Sequence, residues 1–290
     1  MRTDLPMSEL PPPPLPSCYR HAERATGRSC TRCGRPACGD CLVAASIGSH
    51  CPDCRREARP GVATRARDWN ARRSQPVTSA LIAINVAVFV WVLIGDAGAA
   101  GFRNQVSRRE YDLGLNKWLL EQTHEWYRLV TAGFLHFGVL HIAMNMLLLF
   151  QLGAMLERAM GGLRFGLLYF AALLGGSLGA LVITGDGGGL HGGASGAVFG
   201  LMAAAAIGLQ RRGVNVFQTG IGATLVINLL LTFTIPGISI GGHVGGMIVG
   251  ALGGLVMLAP RPQAPPPWVT IAFPIAAAVA CVAASIAVVG

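Results

Sequence analysis

At 290 residues the chain is long enough for two soluble domains, but 52% of its residues are hydrophobic and only 13% are charged, which argues against that organisation. The formal net charge of +9 is compatible with nucleic-acid binding, yet many of the basic residues lie in the segment 55–73, directly before the first long apolar run. Basic residues in that place are typical of the cytoplasmic flank of a membrane span, so nucleic acid is not an expected partner.

Two polar segments flank a cysteine-rich stretch near the start of the chain. Residues 1–17 are rich in proline and contain no apolar segment of the kind found in secretory signal peptides, so we expect a disordered tail. Residues 55–76 are rich in arginine and are interpreted as a basic linker to the membrane part. The cysteine-rich stretch, residues 18–54, is therefore expected to be a small domain of its own.

This small domain contains four pairs of metal-ligand side chains, each pair with a gap of two residues. Such a gap allows a tight turn to present both side chains to one tetrahedral zinc ion. The short stretches between pairs favour interleaving, in which the first and third pairs share one ion and the second and fourth pairs share the other. The eight expected ligands are Cys18, His21, Cys30, Cys33, Cys38, Cys41, Cys51 and Cys54. His50 is a rival ligand, since it directly precedes Cys51, but it breaks the paired spacing.

A domain of this size has no sizeable hydrophobic core, so two structural zinc ions would supply most of its folding free energy. Cysteine pairs with this spacing favour metal over disulfides and imply a reducing compartment for the N-terminal part. The arrangement resembles small B-box-like zinc modules, which implies a protein-binding role; a simple stabilising cap is the alternative. No open coordination position is indicated, so these ions are expected to take no part in catalysis.

Seven apolar segments follow, each with a length and hydropathy that predict a membrane-spanning helix. They cover approximately residues 77–94, 137–156, 165–183, 194–209, 214–235, 238–258 and 268–289. A polar loop, about residues 97–135, separates the first two segments, and a glycine-rich stretch precedes the fourth. The predicted fold is an all-α polytopic membrane protein, with a six-helix core in residues 77–260 and a linker and seventh helix in residues 261–290.

The charges of the short loops predict the orientation in the membrane. If the N-terminus is cytoplasmic, the short outward turns contain no Lys or Arg, and the inward loops contain Arg158, Arg164, Arg211, Arg212 and Arg261. This distribution follows the positive-inside rule. We therefore expect a multi-pass protein of the cell membrane, with its N-terminus in the cytoplasm and its C-terminus outside.

Ser195 is the candidate nucleophile. It lies in the sequence Gly193-Ala194-Ser195-Gly196, a G-x-S-G match that is a weak signal in so glycine-rich a chain. The position of Ser195 strengthens the hypothesis, because the glycine-rich loop turns into the fourth predicted helix there. A helix N-terminus offers unpaired N–H groups and a positive dipole end to a developing oxyanion. A serine that only packs at a helix contact is the structural alternative.

His243 is the candidate general base, since ionisable residues within membrane helices are rare and tend to be functional. It begins the sixth predicted helix from the same outer side as Ser195. Small residues form rows that allow close approach of the two helices: Gly246, Gly250 and Gly254 after His243, and Gly196, Gly200, Ala204 and Gly208 after Ser195. No Asp or Glu lies within the predicted spans to orient the imidazole, so a Ser–His dyad is expected rather than a triad. A packed histidine bonded to a backbone carbonyl is the alternative.

His141 and Asn145 are four residues apart and share one face of the second predicted helix, in its outer half. Burying both in lipid without partners would cost several kcal/mol, so they are expected to face the protein interior. Both side chains can donate hydrogen bonds to an oxyanion; bonds to loop carbonyls are the structural alternative. His136, just before this helix, is interpreted as a loop anchor rather than a catalytic group.

Taken together, these residues resemble the rhomboid family of intramembrane serine proteases over about residues 77–260. The resemblance rests on Trp126-Tyr127-Arg128, His136, His141 with Asn145, Gly153, Glu157, Gly193-Ala194-Ser195-Gly196 and Gly242-His243-Val244-Gly245-Gly246. It implies that Ser195 is the nucleophile and His243 its base. It also implies that His141, Asn145 and the Ser195 N–H form an oxyanion hole, and that Arg128 and Glu157 are structural. Family members often have Trp directly before the arginine, where this chain has Tyr127.

The resemblance implies hydrolysis of peptide bonds in transmembrane protein substrates, with no cofactor for the chemistry and a site that opens to the outer face. A catalytically silent rhomboid-like scaffold that binds membrane clients is one alternative, and the retention of Ser195 and His243 argues against it. A transporter would also suit glycine-interrupted helices with polar residues inside the membrane, but it predicts an inverted repeat that we do not find in the sequence.

Overall fold

The computed structural model describes residues 13–45, 47–57, 75–101, 106–184, 189–235, 237–260 and 263–290. The chain divides into two compact units, Met1–Ser74 and Gln75–Gly290. Most of the predicted tail and of the predicted linker lies outside the described residues. At the described boundaries, Ser17 already belongs to a strand and a helix runs to Glu57, so the folded part extends beyond residues 18–54 on both sides.

The N-terminal unit consists of two short antiparallel strand pairs and one helix. Its elements are β1 (Ser17–Cys18), β2 (His21–Ala25), β3 (Val43–Ala44), β4 (Ser49–His50) and α1 (Pro52–Glu57), with β1 paired to β2 and β3 to β4. Its buried side chains form two small clusters composed of cysteines and Ala37, and Tyr19 and Leu42 pack against both clusters. Among its described residues, this unit therefore has no aliphatic core.

The described part of the second unit is helical. Its helices are α2 (Pro76–Gly95), α3 (Arg108–Leu113), α4 (Lys117–Thr123), α5 (Arg128–Thr131), α6 (Val139–Met160), α7 (Gly162–Thr184), α8 (Ser195–Gln210), α9 (Ile221–Thr234), α10 (Ile240–Met257) and α11 (Val269–Val289). The buried core draws largely on α6, α7 and α8, and it includes the fully buried rings of Phe165 and Tyr169.

Five of these helices, α2, α6, α7, α10 and α11, are long and apolar enough to cross a membrane. The fourth predicted segment is α8, with 16 residues, and the fifth is α9, with only 14. The predicted start of the fifth segment at residue 214 is wrong, because α9 begins at Ile221. Gly213 and Gly220 have φ angles of 75° and 76°, so the chain turns twice before the helix can begin.

The predicted polar loop 97–135 is a structured region that contains α3, α4 and α5, and Arg128 is central to it. The Arg128 guanidinium is almost fully buried, and its Nη1 donates to the carbonyls of Tyr111 at 2.6 Å and Gly114 at 2.9 Å. Its Nε and Nη2 donate to Glu125 Oε2 at 2.8 and 2.5 Å. A buried charge is stable only when its donors are used in this way, so Arg128 stabilises the loop.

Glu157, in the last turn of α6, caps the first turn of α2. Its carboxylate accepts bonds from the backbone N–H of Val77 at 3.0 Å, the N–H of Thr78 at 2.8 Å and the Thr78 hydroxyl at 2.6 Å. The unpaired N–H groups at a helix N-terminus favour a negative charge. Gly153, one turn earlier in α6, provides the space for the Thr78 side chain, because a Cβ at residue 153 would overlap it.

Small residues bring α8 and α10 into backbone contact, as the two predicted rows require. Three residues of α8 face three glycines of α10: Gly196 faces Gly246, Gly200 faces Gly250 and Ala204 faces Gly254. In each pair, a Cβ on the glycine of α10 would overlap or crowd the backbone of the residue on α8. The last member of the predicted row, Gly208, packs instead against the Leu258 side chain. Backbones this close are held by dispersion contacts over their full length.

A second glycine contact, not predicted above, joins α7 to another face of α10. A Cβ at Gly179 would overlap the Gly241 carbonyl, and a Cβ at Gly245 would overlap the Gly175 carbonyl. Both glycines of α7 are visible in the sequence, where they are four residues apart. The first turns of α10 are therefore held between α7 and α8, which fixes the backbone of His243.

Candidate active site

Ser195 is the first residue of α8, where a loop turns into the helix. Gly193 in this loop has a φ of 134°, which favours glycine, and its N–H donates to the Ala132 carbonyl at 2.9 Å. The N–H groups in the first turn of a helix have no acceptor within the helix. The Ser195 hydroxyl therefore lies beside unpaired backbone donors at the positive end of the α8 dipole.

Ser195 lines a cleft of about 390 Å³, a volume that includes its open mouth. The cleft is bounded by α7, by the turn Ala132–Phe134, by the loop before α8 and by the start of α10. Twelve of its fifteen lining residues are glycine, alanine or serine. The wall of the cleft around the Ser195 hydroxyl is therefore formed mainly by small side chains.

His243 lies in the first turn of α10 and is 7% exposed. Its ring stacks on the ring of Phe199, with centroids 4.1 Å apart and an angle of 18° between the planes. Phe199 is four residues after Ser195 and shares its face of α8. The Nδ1 atom of His243 is 2.7 Å from the Thr232 hydroxyl on α9. The imidazole is thus held on the Ser195 face of α8 by one ring contact and one hydrogen bond.

The starts of α8 and α10 bring Ser195 and His243 into the same region. Their chain neighbours Gly196 and Gly242 are in contact, since a Cβ at residue 196 would lie 3.1 Å from the Gly242 carbonyl oxygen. Within the described residues, no hydrogen bond joins the Ser195 hydroxyl to His243. Catalytic hydrogen bonds often tighten only when substrate is bound, so this adjacency is compatible with a nucleophile–base pair.

His141, in the first turn of α6, lies next to the same loop. A Cβ at Gly193 would be 2.9 Å from His141 Nε2 and 3.5 Å from Ser195 Oγ. Both atoms therefore lie within 3.5 Å of the same position beside Gly193. The backbone N–H of Phe137 donates to His141 Nδ1 at 3.2 Å. Since Nδ1 accepts a hydrogen bond, the neutral ring carries its proton on Nε2, the nitrogen nearest to Gly193.

Asn145 and His136 lie close to His141. The Asn145 amide donates to the His141 carbonyl at 3.0 Å, which uses one of its two N–H bonds, and the side chain is buried. His136 is fully buried and packs edge-on against His141, with ring centroids 5.0 Å apart. Neither ring nitrogen of His136 has a hydrogen-bond partner among the described residues. Its observed contact is packing against His141.

Comparison with known proteins assigns this architecture to a family. Residues 123–260 match the family model described as Rhomboid domain. The chain is 30% identical over 215 residues to RHOMBOID-like protein 6, mitochondrial, of Arabidopsis thaliana, and the match covers 63% of this chain and 68% of that protein. The chain belongs to the rhomboid family. The matched domain contains His141, Asn145, Ser195 and His243.

Two further rhomboid relatives have names that describe proteases. The chain is 37% identical over 129 residues to Rhomboid protease GluP of Bacillus subtilis (strain 168), a match that covers 43% of this chain and 25% of that protein. It is 33% identical over 147 residues to Rhomboid-type serine protease 2 of Emericella nidulans, which covers 47% of this chain and 28% of that protein. The chain thus spans about a quarter of the length of each of these two relatives.

Outside the rhomboid domain, the eight candidate metal ligands form two clusters. One contains Cys18, His21, Cys38 and Cys41, and the other contains Cys30, Cys33, Cys51 and Cys54, with the ligand atoms of each cluster within 4.8 Å of one another. This is the interleaved grouping predicted from the spacing. His50, the rival ligand, lies in β4 opposite Val43 and belongs to neither cluster.

Distances within the clusters suit a four-coordinate metal. The Sγ atoms of Cys38 and Cys41 are each 3.4 Å from His21 Nδ1, and the Sγ atoms of Cys33 and Cys51 are 3.8 Å apart. A tetrahedron with zinc–ligand distances of about 2.1–2.3 Å has edges of about 3.4–3.8 Å. A disulfide needs an S–S distance of about 2.05 Å, and these cysteines are free. The donor sets therefore fit zinc.

Two residues at the rhomboid site, Phe199 and Thr232, were not predicted from the sequence. Phe199 follows Ser195 by one helical turn, so helical spacing alone places it on the same face. Thr232 ends a row of polar residues that recur every fourth position on α9, after Thr224 and Asn228, and Thr234 is the one further polar side chain of this helix. Such a row in a membrane helix predicts a face turned to the protein interior.

Proposed function

We propose that this rhomboid is an intramembrane serine endopeptidase that hydrolyses peptide bonds in or near the transmembrane helices of other membrane proteins. The observation that supports it best is the approach of Ser195 Oγ and His141 Nε2 to one point beside Gly193, at the N-terminus of α8, with the His243 imidazole stacked on Phe199 one helical turn after Ser195. A serine nucleophile needs a base, and the oxyanion that it generates needs hydrogen-bond donors. These groups supply both.

The proposed reaction has two acyl-transfer steps. Ser195 Oγ attacks the substrate carbonyl carbon while His243 accepts the hydroxyl proton, and the carbonyl π electrons move onto oxygen. The oxyanion is stabilised by the Ser195 N–H, by His141 and by the Asn145 amide. Collapse of the intermediate breaks the C–N bond, and the leaving amine takes the proton from His243. Water then hydrolyses the acyl-enzyme by the same route, so protein side chains and water account for each step.

The length of α8 supports a reaction below the membrane surface. At a rise of about 1.5 Å per residue, its 16 residues span roughly 24 Å, whereas the hydrocarbon core is about 30 Å thick. The cytoplasmic end of α8 is marked by Arg211 and Arg212, so Ser195 at the other end would lie beneath the outer surface. This orientation keeps the N-terminus in the cytoplasm and opens the cleft outward.

Substrates follow from the same geometry. A transmembrane helix must lose backbone hydrogen bonds before its peptide bonds can reach Ser195, so helices weakened by glycine or proline are the expected clients. The small residues that line the cleft leave space for a substrate backbone with a small side chain at the cut site. The proposed partners are therefore transmembrane proteins and the bilayer that presents them.

The test compares the parent chain with Ser195→Ala in reconstituted bilayers. We expect Ser195→Ala to lower cleavage of a glycine-containing transmembrane peptide by at least about a thousandfold, as loss of a serine nucleophile does elsewhere. Labelling by a fluorophosphonate should disappear in parallel. Ser285→Ala is the matched control, because the Ser285 hydroxyl bonds only the Cys281 carbonyl within α11. Unchanged cleavage in Ser195→Ala would contradict the proposal and favour a silent scaffold that binds membrane clients.

We also propose that each of the two N-terminal clusters holds one structural zinc ion. Each cluster brings four donors together, three of them buried, so each ion would have a complete tetrahedral shell, would stabilise the unit and would leave no position for a substrate. The N–H of Cys51 donates to Cys30 Sγ at 3.2 Å, an outer-shell bond that suits a thiolate ligand. The resemblance to B-box-like modules supports a protein partner for this unit on the cytoplasmic side.

A further inference from the structure

Side-chain hydrogen bonds recur along one face of α9, and the last of them reaches His243. The Asn228 amide donates to the Thr224 carbonyl at 2.8 Å, and the Thr232 hydroxyl donates to the Asn228 carbonyl at 2.7 Å. The Thr232 hydroxyl is also 2.7 Å from His243 Nδ1, and Thr232 is only 2% exposed. This buried hydroxyl therefore joins α9 to the imidazole on α10.

The two bonds of Thr232 determine which nitrogen of His243 carries the proton. A threonine hydroxyl has one hydrogen and two acceptor lone pairs, and the Asn228 carbonyl can only accept. Because the hydroxyl hydrogen is used by that carbonyl, the contact with His243 requires an N–H at Nδ1. The neutral imidazole then has its lone pair on Nε2, which is the form that a general base needs.

We propose that Thr232 is a positioning residue for catalysis, which fixes the tautomer and orientation of His243 so that Nε2 can accept the proton of Ser195. The inference rests on the proposed protease function and adds a third participant to the Ser–His dyad. The described residues provide no carboxylate bonded to His243, and a neutral hydroxyl occupies the place that an aspartate has in serine protease triads. Thr232 therefore supplies orientation without supplying a charge.

The hydrogen bond between His243 Nδ1 and the Thr232 hydroxyl is compatible with both proton transfers, from Ser195 to His243 and from His243 to the leaving amine. When Ser195 Oγ forms its bond to the substrate carbon, its proton moves to Nε2 and His243 becomes an imidazolium. The Nδ1–H donor is present before and after this transfer, so the bond to Thr232 persists. The ring consequently has no need to rotate between accepting the proton from Ser195 and delivering it to the leaving amine.

The substitution Thr232→Val tests the inference, because valine has nearly the shape of threonine but no hydroxyl. Without the acceptor on α9, the Nδ1–H form loses its preference, and we expect kcat for a glycine-containing transmembrane peptide to fall about tenfold or more, the effect of losing one hydrogen bond to a group that becomes charged. KM should stay within about twofold, because Thr232 does not line the cleft. The maximal rate of Ser195 labelling by a fluorophosphonate should fall with kcat.

Two variants separate positioning from packing. Thr232→Ser retains the hydroxyl and should restore most of kcat, although it removes a methyl group from the contact. Thr234→Val makes the same change on the same helix, where the hydroxyl bonds only α9 carbonyls and is exposed, and should leave kcat unchanged. If Thr232→Val retains the parent kcat, or if Thr232→Ser is as impaired as Thr232→Val, the inference is wrong.

A spectroscopic measurement reports the tautomer directly. In the parent chain labelled with ¹⁵N-histidine, His243 should show a protonated Nδ1 and an unprotonated Nε2, with its signals assigned by comparison with His243→Ala. Thr232→Val should shift the population towards protonated Nε2, and an unchanged tautomer would overturn the inference.

The failure of the protease proposal can be distinguished from the failure of the Thr232 inference. A fully active Ser195→Ala variant would contradict the protease function. An inactive Ser195→Ala variant beside a fully active Thr232→Val variant would contradict the role of Thr232 alone.

Discussion

In the N-terminal unit, cysteines occupy the buried positions that aliphatic side chains fill in larger domains, whereas in the membrane unit the closest contacts are made where side chains are absent. The first unit buries Cys18, Cys30 and Cys51 almost completely. The second places the Gly200 carbonyl directly against Gly250. The stability of the N-terminal unit thus depends on its cysteine and histidine donor atoms, and the stability of the membrane unit depends on the absence of side chains between its helices.

This difference follows from the solvent of each region. The N-terminal unit, Met1–Ser74, has no aliphatic core among its described residues, so the proposed metal–ligand bonds would replace one. Within a bilayer, lipid is as apolar as leucine, and helices gain stability from backbone contact and van der Waals packing instead. The two regions should therefore respond to different kinds of substitution, and each should tolerate changes that disrupt the other.

The largest effect is expected from Cys51→Ser in the N-terminal unit. Structural zinc contributes about 10–16 kcal/mol of binding free energy in zinc-finger peptides, so loss of one ligand should release that ion and unfold the unit. Metal analysis should find about two zinc ions in the parent chain and one or none in the variant, and limited proteolysis should cut the variant before residue 75. Cys281→Ala is the control, since Cys281 lies in α11 outside both clusters.

Labelling of Ser195 tests whether the membrane unit depends on the metal clusters of the N-terminal unit. If each region has its own source of stability, Cys51→Ser should leave the rate of fluorophosphonate labelling within about twofold of the parent rate, an effect near the ordinary limit for distant substitutions. A parallel loss of zinc and of labelling would show that the membrane unit depends on the metal clusters. That result would contradict the separation of the two regions.

The second largest effect is expected from Gly250→Ala in α10. A Cβ there would overlap the Gly200 backbone, which cannot rotate away as a side chain can, so we expect a loss of about 3 kcal/mol or more, the upper range for overpacking. Gly166→Ala is the matched control, because its Cβ would be 3.5 Å from Val77 and in ordinary contact. Replacing a helical glycine there should be neutral or stabilise by up to about 1 kcal/mol. Thermal unfolding in detergent compares the two, and equal melting temperatures would show that α8 and α10 are not closely packed.

The sequence predicts some contacts in each of these two regions and misses others. The short stretches between the cysteine pairs predict the interleaved clusters, and small residues at every fourth position predict the contact of α8 with α10. Hydropathy did not predict the start of α9, because the chain first turns at Gly213 and Gly220, whose φ angles are positive, and between them forms a 3₁₀ turn, Val216–Gln218, that Asn215 caps. Thr232 was missed for a different reason: its role depends on which helix faces His243, and a single sequence does not contain that information.

The smallest effect concerns the structured loop of the membrane unit, in which the Arg128 guanidinium pairs with the Glu125 carboxylate. The Arg128 guanidinium lowers the pKa of Glu125 below its ordinary value of 4.5. Because the folded-state pKa is depressed, the stabilisation by this pair is fully present above about pH 4.5 and is lost as the pH falls through the lowered value. Glu125→Gln should therefore lower the melting temperature at pH 7 by less than Gly250→Ala does, and the difference from the parent should shrink as the pH falls below 4.5.

The control for this pH dependence is Glu121→Gln on the neighbouring helix α4. Its carboxylate lies 3.7 Å from the Lys117 amine in a partly exposed pair, and such pairs contribute little to stability. Its melting temperature should therefore stay close to that of the parent at both pH values. If the destabilisation by Glu125→Gln does not depend on pH, the carboxylate acts through its shape and neutral hydrogen bonds, and charge pairing with Arg128 does not hold the loop.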